Sequence, residues 1–240
     1  MLTKGAKFTG KSRDQAEKPF WISYADLMTA LMVLFLVVMS VALLAVTKTV
    51  NEREKEKAAY DAAVEALLDD VQRAVDRYPG VTLDRGRRVI DFGRKALFPL
   101  ADYRLTLEQA QYLREFTPEV LAIANSRLGK DLLKRIVVEG FTDETGTYLY
   151  NLNLSLQRSQ SVLCALLADP AHDQTALSDD RRQDIQDLFL VGGFSFNSAR
   201  ATADESRRVE LRLELRGFGP KEPALGPHAT QNIGKCALAR

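Results

Sequence analysis

FWISYADLMTALMVLFLVVMSVALLAV, residues 20–46, is a run of 27 residues with a single charge, Asp26. As an α-helix rising about 1.5 Å per residue it is roughly 40 Å long, more than the ~30 Å hydrocarbon core of a bilayer. The run predicts one transmembrane helix, with the surplus length taken up by tilt or an interfacial turn. A cleavable leader would carry a shorter apolar region, about 7–15 residues, and no acid within it. Trp21 and Tyr24 stand where an interfacial aromatic belt belongs.

Outward from the span the composition changes. Residues 1–19 are polar and mixed in charge, and read as a short cytoplasmic tail. Lys4, Lys7, Lys11, Arg13 and Lys18 precede the span, and Lys48, Arg53, Lys55 and Lys57 follow it. That small excess points the N-terminus to the cytoplasm and the C-terminal domain to the periplasm of a bacterial inner membrane. Over the whole chain 33 basic and 32 acidic residues leave a net charge of +1. Bulk charge offers no footing for nucleic acid, and no direct nucleic-acid partner is expected.

Residues 47–80 continue in helical style. Tyr60, Val64, Leu67, Val71, Ala74 and Tyr78 follow a 4-3-4-3-4 spacing. The spacing serves a coiled-coil linker and an amphipathic helix laid on the downstream domain equally well. Either ends at Pro79-Gly80. From Val81 the elements alternate. VTLDRGRRVIDFG reads as a strand or hairpin, TLEQAQYLREFTPEVLAIANS as a helix and RIVVEG as a short buried strand. LYNLNLSLQRSQSVLCALLA reads as a second helix, DLFLVGG as a strand, and RRVELRLELRG as a strand with one apolar face. The order β-α-β-α-β-β predicts an α+β domain over 81–217, an α/β sandwich, followed by an irregular tail over 218–240.

Enzyme motifs are missing from the sequence. There is no P-loop and no G-x-S-x-G, and His172 and His228 sit in loop-like contexts. Cys164 and Cys236 lack metal-ligand spacing. No enzymatic activity, cofactor or metal is expected. In a periplasmic domain the two thiols can pair, tying the tail to the second helix; the alternative is a buried Cys164 and an idle Cys236.

Asp26 is expensive where it stands. Insertion scales charge an Asp at mid-helix about 2.5–3.5 kcal/mol, and acids inside membranes face a bundle interior or an aqueous path. The plainer reading is an interfacial cap on a span that starts at Leu27, since Leu27–Val46 still supplies 20 residues. Against it, residues 20–25 are mostly apolar, and Asp26 lies roughly 9 Å along the helix from Phe20. Thr29, Ala30 and Val33 share its face, a small-residue surface suited to helix packing. An ion falling through 100 mV releases about 2.3 kcal/mol per charge. Asp26 is therefore the candidate carrier of a translocated ion, a proton first and sodium as the alternative.

WISYADLMTALM, residues 21–32, resembles the transmembrane signature of MotB-type stator subunits. The resemblance implies that Asp26 carries the ion and that the chain forms a homodimer. It also implies that two copies of the helix sit inside a pentameric ring of MotA-like subunits. GFTDETGTYLYNLNLSLQRSQSV, residues 140–162, resembles the OmpA-like peptidoglycan-binding motif at Gly140, Thr142, Asp143, Gly146, Asn151, Leu154, Ser155, Arg158 and Val162. SRRVELRL, residues 206–213, is similar to its closing Arg-Arg strand, and the likeness runs over roughly residues 82–216. It implies an OmpA-like sandwich binding peptidoglycan through Thr142, Asp143, Asn151, Leu154 and Arg158. A stem peptide offers carboxylates onto which Arg158 can fork, and an ammonium from which Asp143 can accept. Asn151 can add amide hydrogen bonds. On the residues alone, Thr142 and Asp143 could instead cap the second helix, with Arg158 a surface charge.

The two resemblances together describe a stator, an ion-coupled helix in the membrane with a wall anchor outside it. Flagellar B subunits usually carry a longer linker and an amphipathic plug after the span. This chain is short and runs from the span into a charged helix, which resembles the MotB-like subunits of Zorya anti-phage defence systems and implies a ZorA-like ring partner. A flagellar motor is the runner-up, and a passive OmpA-like wall tether without ion coupling is the third reading.

Overall fold

The computed structural model describes residues 14–167 and 176–219, with residues 234, 236 and 238. His172, His228 and most of the segment read as a tail lie outside these. Two compact units meet in sequence at Ala58 and Ala59. Helix α1, Asp14–Val75, contributes to both, and it begins within the segment read as a cytoplasmic tail.

In the first unit every side chain from Trp21 to Val50 is exposed in the isolated chain. A continuous apolar surface of this kind suits lipid and not water. Among the described residues it is the helix long and apolar enough to cross a membrane. Thr29, Ser40 and Thr47 donate their hydroxyls to the carbonyls of Ala25, Leu36 and Leu43, at 2.7, 2.7 and 2.8 Å. These bonds keep unsatisfied donors out of the hydrocarbon.

The second unit starts with the last turns of α1. Val64, Leu67, Leu68, Val71, Ala74 and Val75 are all buried. Val64, Leu67 and Leu68 pack with Leu132, against partly buried Leu128 and Leu215, while Val71 and Val75 join the main core. The Tyr60 hydroxyl donates to the Arg216 carbonyl at 2.5 Å. The 4-3-4-3-4 seam is thus the seam with the domain and not a coiled coil over these residues. The compact unit consequently begins at Ala59, where the sequence reading put a linker up to residue 80. Leu67 is 1% exposed, so Leu67→Ala is expected to destabilise the domain by about 2–5 kcal/mol. The check is the denaturant midpoint of the detergent-solubilised chain.

After a turn at Pro79-Gly80, strands β1, Thr82–Asp84, and β2, Val89–Asp91, form a hairpin. Helix α2, Leu107–Asn125, opens with a capping box in which Thr106 and Gln109 bond reciprocally. Helix α3, Arg127–Leu132, leads into β3, Leu133–Gly140. Helix α4, Tyr148–Leu167, helix α5, Asp179–Leu188, and β4, Phe189–Gly193, follow. Helix α6, Ala203–Ser206, precedes β5, Val209–Leu215. Asp187 and Leu188, read from sequence as strand, close α5.

The sheet order is β1-β2-β5-β3-β4, with β3 and β4 parallel and the other pairs antiparallel. The architecture is the expected α+β layer of helices on a mixed sheet. Val209, Leu211 and Leu213 of β5 point into the core, together with Ile136 and Val138 of β3 and Phe116 of α2. On the other face Asp91, Glu210 and Glu139 fall in one row across β2, β5 and β3. Arg200 and Arg208 bond Glu210 at 2.7 Å each, and Arg212 bonds Glu139 at 2.5 and 2.9 Å. Three buried or half-buried carboxylates in a row would repel; interleaved guanidiniums make the row tolerable.

Candidate functional site

The site forms where β3 ends and α4 begins. Gly140 closes the strand at a point where a Cβ would lie 1.9 Å from the Ser155 carbonyl, so only glycine lets α4 settle onto the sheet here. The chain then runs through Phe141, Thr142 and Asp143 into a tight turn. Gly146 sits at φ +103°, a region that favours glycine. Thr147 starts the helix, its hydroxyl receiving the Tyr150 N–H at 3.4 Å. Thr142 and Asp143 therefore lie upstream of the helix and do not cap it.

Neighbouring segments fix this turn from both sides. The Phe141 N–H donates to the Arg208 carbonyl, and the Thr142 N–H donates to the Ser195 carbonyl, both at 2.9 Å. The Thr145 N–H donates to Asp143 Oδ1 at 3.1 Å, and Asn151 Nδ2 donates to the Thr145 carbonyl at 3.0 Å. Two oxygens within this framework have no protein partner, Thr142 Oγ1 and Asn151 Oδ1, and each belongs to a residue 1% exposed. Buried polar atoms are normally satisfied, and these two stand out beside the Asp143 carboxylate, although both are shielded from the surface.

Arg158 lies beneath the turn, 0% exposed. Nε donates to the Asp102 carbonyl at 2.9 Å, Nη1 to the Phe141 carbonyl at 2.8 Å and Nη2 to the Pro99 carbonyl at 3.1 Å. Phe98 stacks against the guanidinium, 5.1 Å from its ring centre. Burial, reinforced by the nearby Arg207 charge, lowers the Arg158 pKa to about 10, which still leaves it protonated at neutral pH. The alternative reading of Arg158 as a surface charge is corrected. Arg158 pins the 99–102 loop to the 141 turn.

Arg207 is the guanidinium that sequence reasoning did not assign to the site. It is 14% exposed and bonds Asp143 Oδ2 at 2.7 Å, while its Nε holds the Phe98 carbonyl at 3.0 Å and Nη2 pairs with Asp204. The Arg-Arg pair ahead of the final strand was the signal available for it. Burial pushes the Asp143 carboxyl up, but the bonds from Arg207 and Thr145 outweigh that and hold it below the usual carboxylate range. A cleft of about 380 Å³ opens beside Asp143 and Thr145, bounded across by Arg200 and Ser206.

Of the other expected residues, Leu154 is buried and contributes packing on the inner face of α4. Cys164 and Cys236 form a disulfide, with Cα atoms 5.7 Å apart. Asp26 belongs to the first unit, exposed on the apolar helix.

The family described as membrane MotB of the proton-channel complex MotA/MotB matches residues 6–59. The Zorya protein ZorB of Escherichia coli O139:H28 (strain E24377A / ETEC) is 43% identical over 220 residues, covering 90% of this chain and 89% of that protein. Among solved structures, a periplasmic domain of MotB (residues 64–256) is 13% identical with a TM-score of 0.38, covering 54% of this chain and 64% of that one. The cell wall anchor of the T6SS from Pseudomonas aeruginosa is 22% identical with a TM-score of 0.37, covering 62% and 94%. A putative MotB-like protein from Desulfovibrio vulgaris is 18% identical with a TM-score of 0.41, covering 65% and 96%.

Proposed function

This chain belongs to the family of the Zorya protein ZorB, and from that premise we propose that it is the MotB-like stator subunit of an ion-driven anti-phage machine, anchored to peptidoglycan. The observation that carries this reading is a conjunction on one chain. A lone acid stands on an apolar membrane helix, and a separate domain holds a buried polar cradle with two unsatisfied oxygens.

In the membrane, Asp26 of each of two copies takes an ion, a proton in the first instance, and releases it at the boundary with a pentameric MotA-like ring. Outside, the wall domain holds the dimer still, so that the ring turns around it. Asp143 accepts from the ammonium of the stem peptide's diamino acid, and the Thr142 and Asn151 side chains beneath it shape the turn that presents it. A stem carboxylate is held by the Arg207 guanidinium, while the buried Arg158 beneath holds the turn in shape. The Cys164–Cys236 disulfide favours an oxidising compartment, which supports a periplasmic domain and a cytoplasmic N-terminus.

The test is cosedimentation of the full detergent-solubilised chain with purified sacculi. Capture is expected on intact sacculi and is expected to vanish when an amidase has removed the stem peptides. Equal capture by bare glycan strands would refute recognition of the peptide.

A further inference from the structure

We propose that Tyr148, Phe196 and Asn197 form a shelf for an N-acetylated amino-sugar ring of the glycan strand, so that the wall domain reads a stem peptide together with the sugar it hangs from. The inference rests on the reading of the Asp143 turn as a stem-peptide site and extends that site.

At the start of α4, Tyr148 is 45% exposed and Leu149 74%, and neither belongs to a core cluster. Tyr148 is nevertheless held in place. Its ring packs perpendicular to Phe196, centres 5.6 Å apart, and its hydroxyl accepts from Asn197 Nδ2 at 3.4 Å. A perpendicular pair covers at most one of its four ring faces, so the contact fixes the tyrosine without hiding it. The loop behind is equally firm. Ser195 takes φ +54°, a costly conformation for a residue with a Cβ. Its N–H donates to Ser155 Oγ at 3.0 Å, its hydroxyl donates to the Tyr148 carbonyl at 3.2 Å, and its carbonyl accepts from the Thr142 N–H at 2.9 Å. Phe194 stacks on Phe141, ring centres 5.5 Å apart. Scattered exposed apolar side chains are ordinary on a surface. A ring that is locked by its neighbours and still nearly half in water is a pre-organised contact surface.

What lies beside the shelf identifies its occupant. Ser195 joins the backbone of Thr142, next to Asp143, to that of Tyr148, and the same loop goes on to line the cleft with Ala199 and Arg200. The diamino acid is the third residue of a stem, so a stem seated at Asp143 carries its sugar no more than about 10 Å away, at ~3.3–3.6 Å per residue. On the Tyr148 side of the turn that sugar meets an aromatic surface. A pyranose ring has an apolar face of C–H groups, whose partial positive charge suits the negative face of an aromatic ring. Its acetamido group both donates and accepts, and exposed Asn197 keeps Oδ1 and its second N–H for that group. A lipid tail or an apolar helix would call for a wider apolar face. Here exposed Asn197 and Ser198 follow Phe196 directly, and exposed Asn153 stands one turn after Leu149.

The experiment is calorimetric titration of the full detergent-solubilised chain with two probes, the free stem tetrapeptide and the same tetrapeptide on its disaccharide. The wild type is expected to bind the disaccharide form on the order of tenfold more tightly, the increment of one aromatic contact and one hydrogen bond. Tyr148→Ala is expected to lose that increment and keep its affinity for the free peptide within about twofold. Tyr148→Phe, which retains the ring, is expected to keep most of the increment. Should Tyr148→Ala lose the free peptide as well, Phe196→Leu decides, since it fills the loop without a ring; an increment retained there overturns the proposal. Equal wild-type affinity for the two probes also overturns it. So does a Tyr148→Ala variant that changes the oligomeric mass and leaves the increment intact, which would assign the surface to a second copy of the chain. If the wild type binds neither probe, the stem-peptide reading itself is what fails, and the shelf falls with it.

Discussion

Asp26→Asn is expected to reduce anti-phage protection to that of cells lacking the protein, while the chain still inserts in the membrane and still cosediments with sacculi. The substitution discriminates because asparagine keeps nearly everything except ionisation. It has the same size and the same side-chain carbonyl. At a helix start, Asn and Asp are caps of similar strength, so an interfacial cap at Asp26 would survive the change almost unaltered. A passive tether would also survive it, since no wall contact involves this residue. A carrier cannot, because an amide neither takes up a proton nor balances a sodium ion at neutral pH. The effect should be a full loss and not a graded one, since each turnover passes through the same group. The measurement is phage plating efficiency, with membrane fractionation and sacculus capture alongside. Normal protection by an inserted, wall-bound variant would end the ion-carrier reading.

How much of this was legible in the sequence depends on whether the signal was local. Thr106 and Gln109 announce the start of α2 because a capping box acts within one turn. The strict alternation from Val209 to Leu215 announces β5, since one face of that strand lines the core and the other meets ions. Helix α5 was not read, because its ten residues are mostly charged and bury one apolar side chain, Ile185, too little for a periodic pattern. The start of the domain was ambiguous for a different reason. A 4-3 repeat describes any helix with one apolar stripe, and only the positions of Leu132 and Leu215, far along the chain, show what the stripe packs against. The burial of Arg158 was hidden in the same way, because its acceptors at Pro99 and Asp102 lie 59 and 56 residues upstream.

That burial decides which substitution tests the wall site. Arg158→Ala would abolish binding, but it would also strip three backbone carbonyls of their donor, at about 1–3 kcal/mol for each group left buried and unpaired. A loss there would not separate recognition from folding. Asp143→Asn is cleaner: it preserves shape, keeps an acceptor for the Thr145 N–H, and leaves Arg207 still able to bond the Phe98 carbonyl and Asp204. What it removes is the negative charge that would face the ligand ammonium. Sacculus retention is expected to fall at least about tenfold, as charge-assisted hydrogen bonds are roughly twice as strong as neutral ones and add a Coulomb attraction. The pH dependence carries a second signature. Because the folded Asp143 pKa is depressed, its stabilising pair with Arg207 is fully present above the unfolded Asp value and is lost only as pH falls through the lower, folded value. Wild-type retention should therefore hold from neutral pH into mild acid and fail only below the ordinary carboxylate range. The Asp143→Asn variant should be weak throughout, with no such drop. Retention at the wild-type level in that variant across the pH range would exclude Asp143 as the ammonium acceptor.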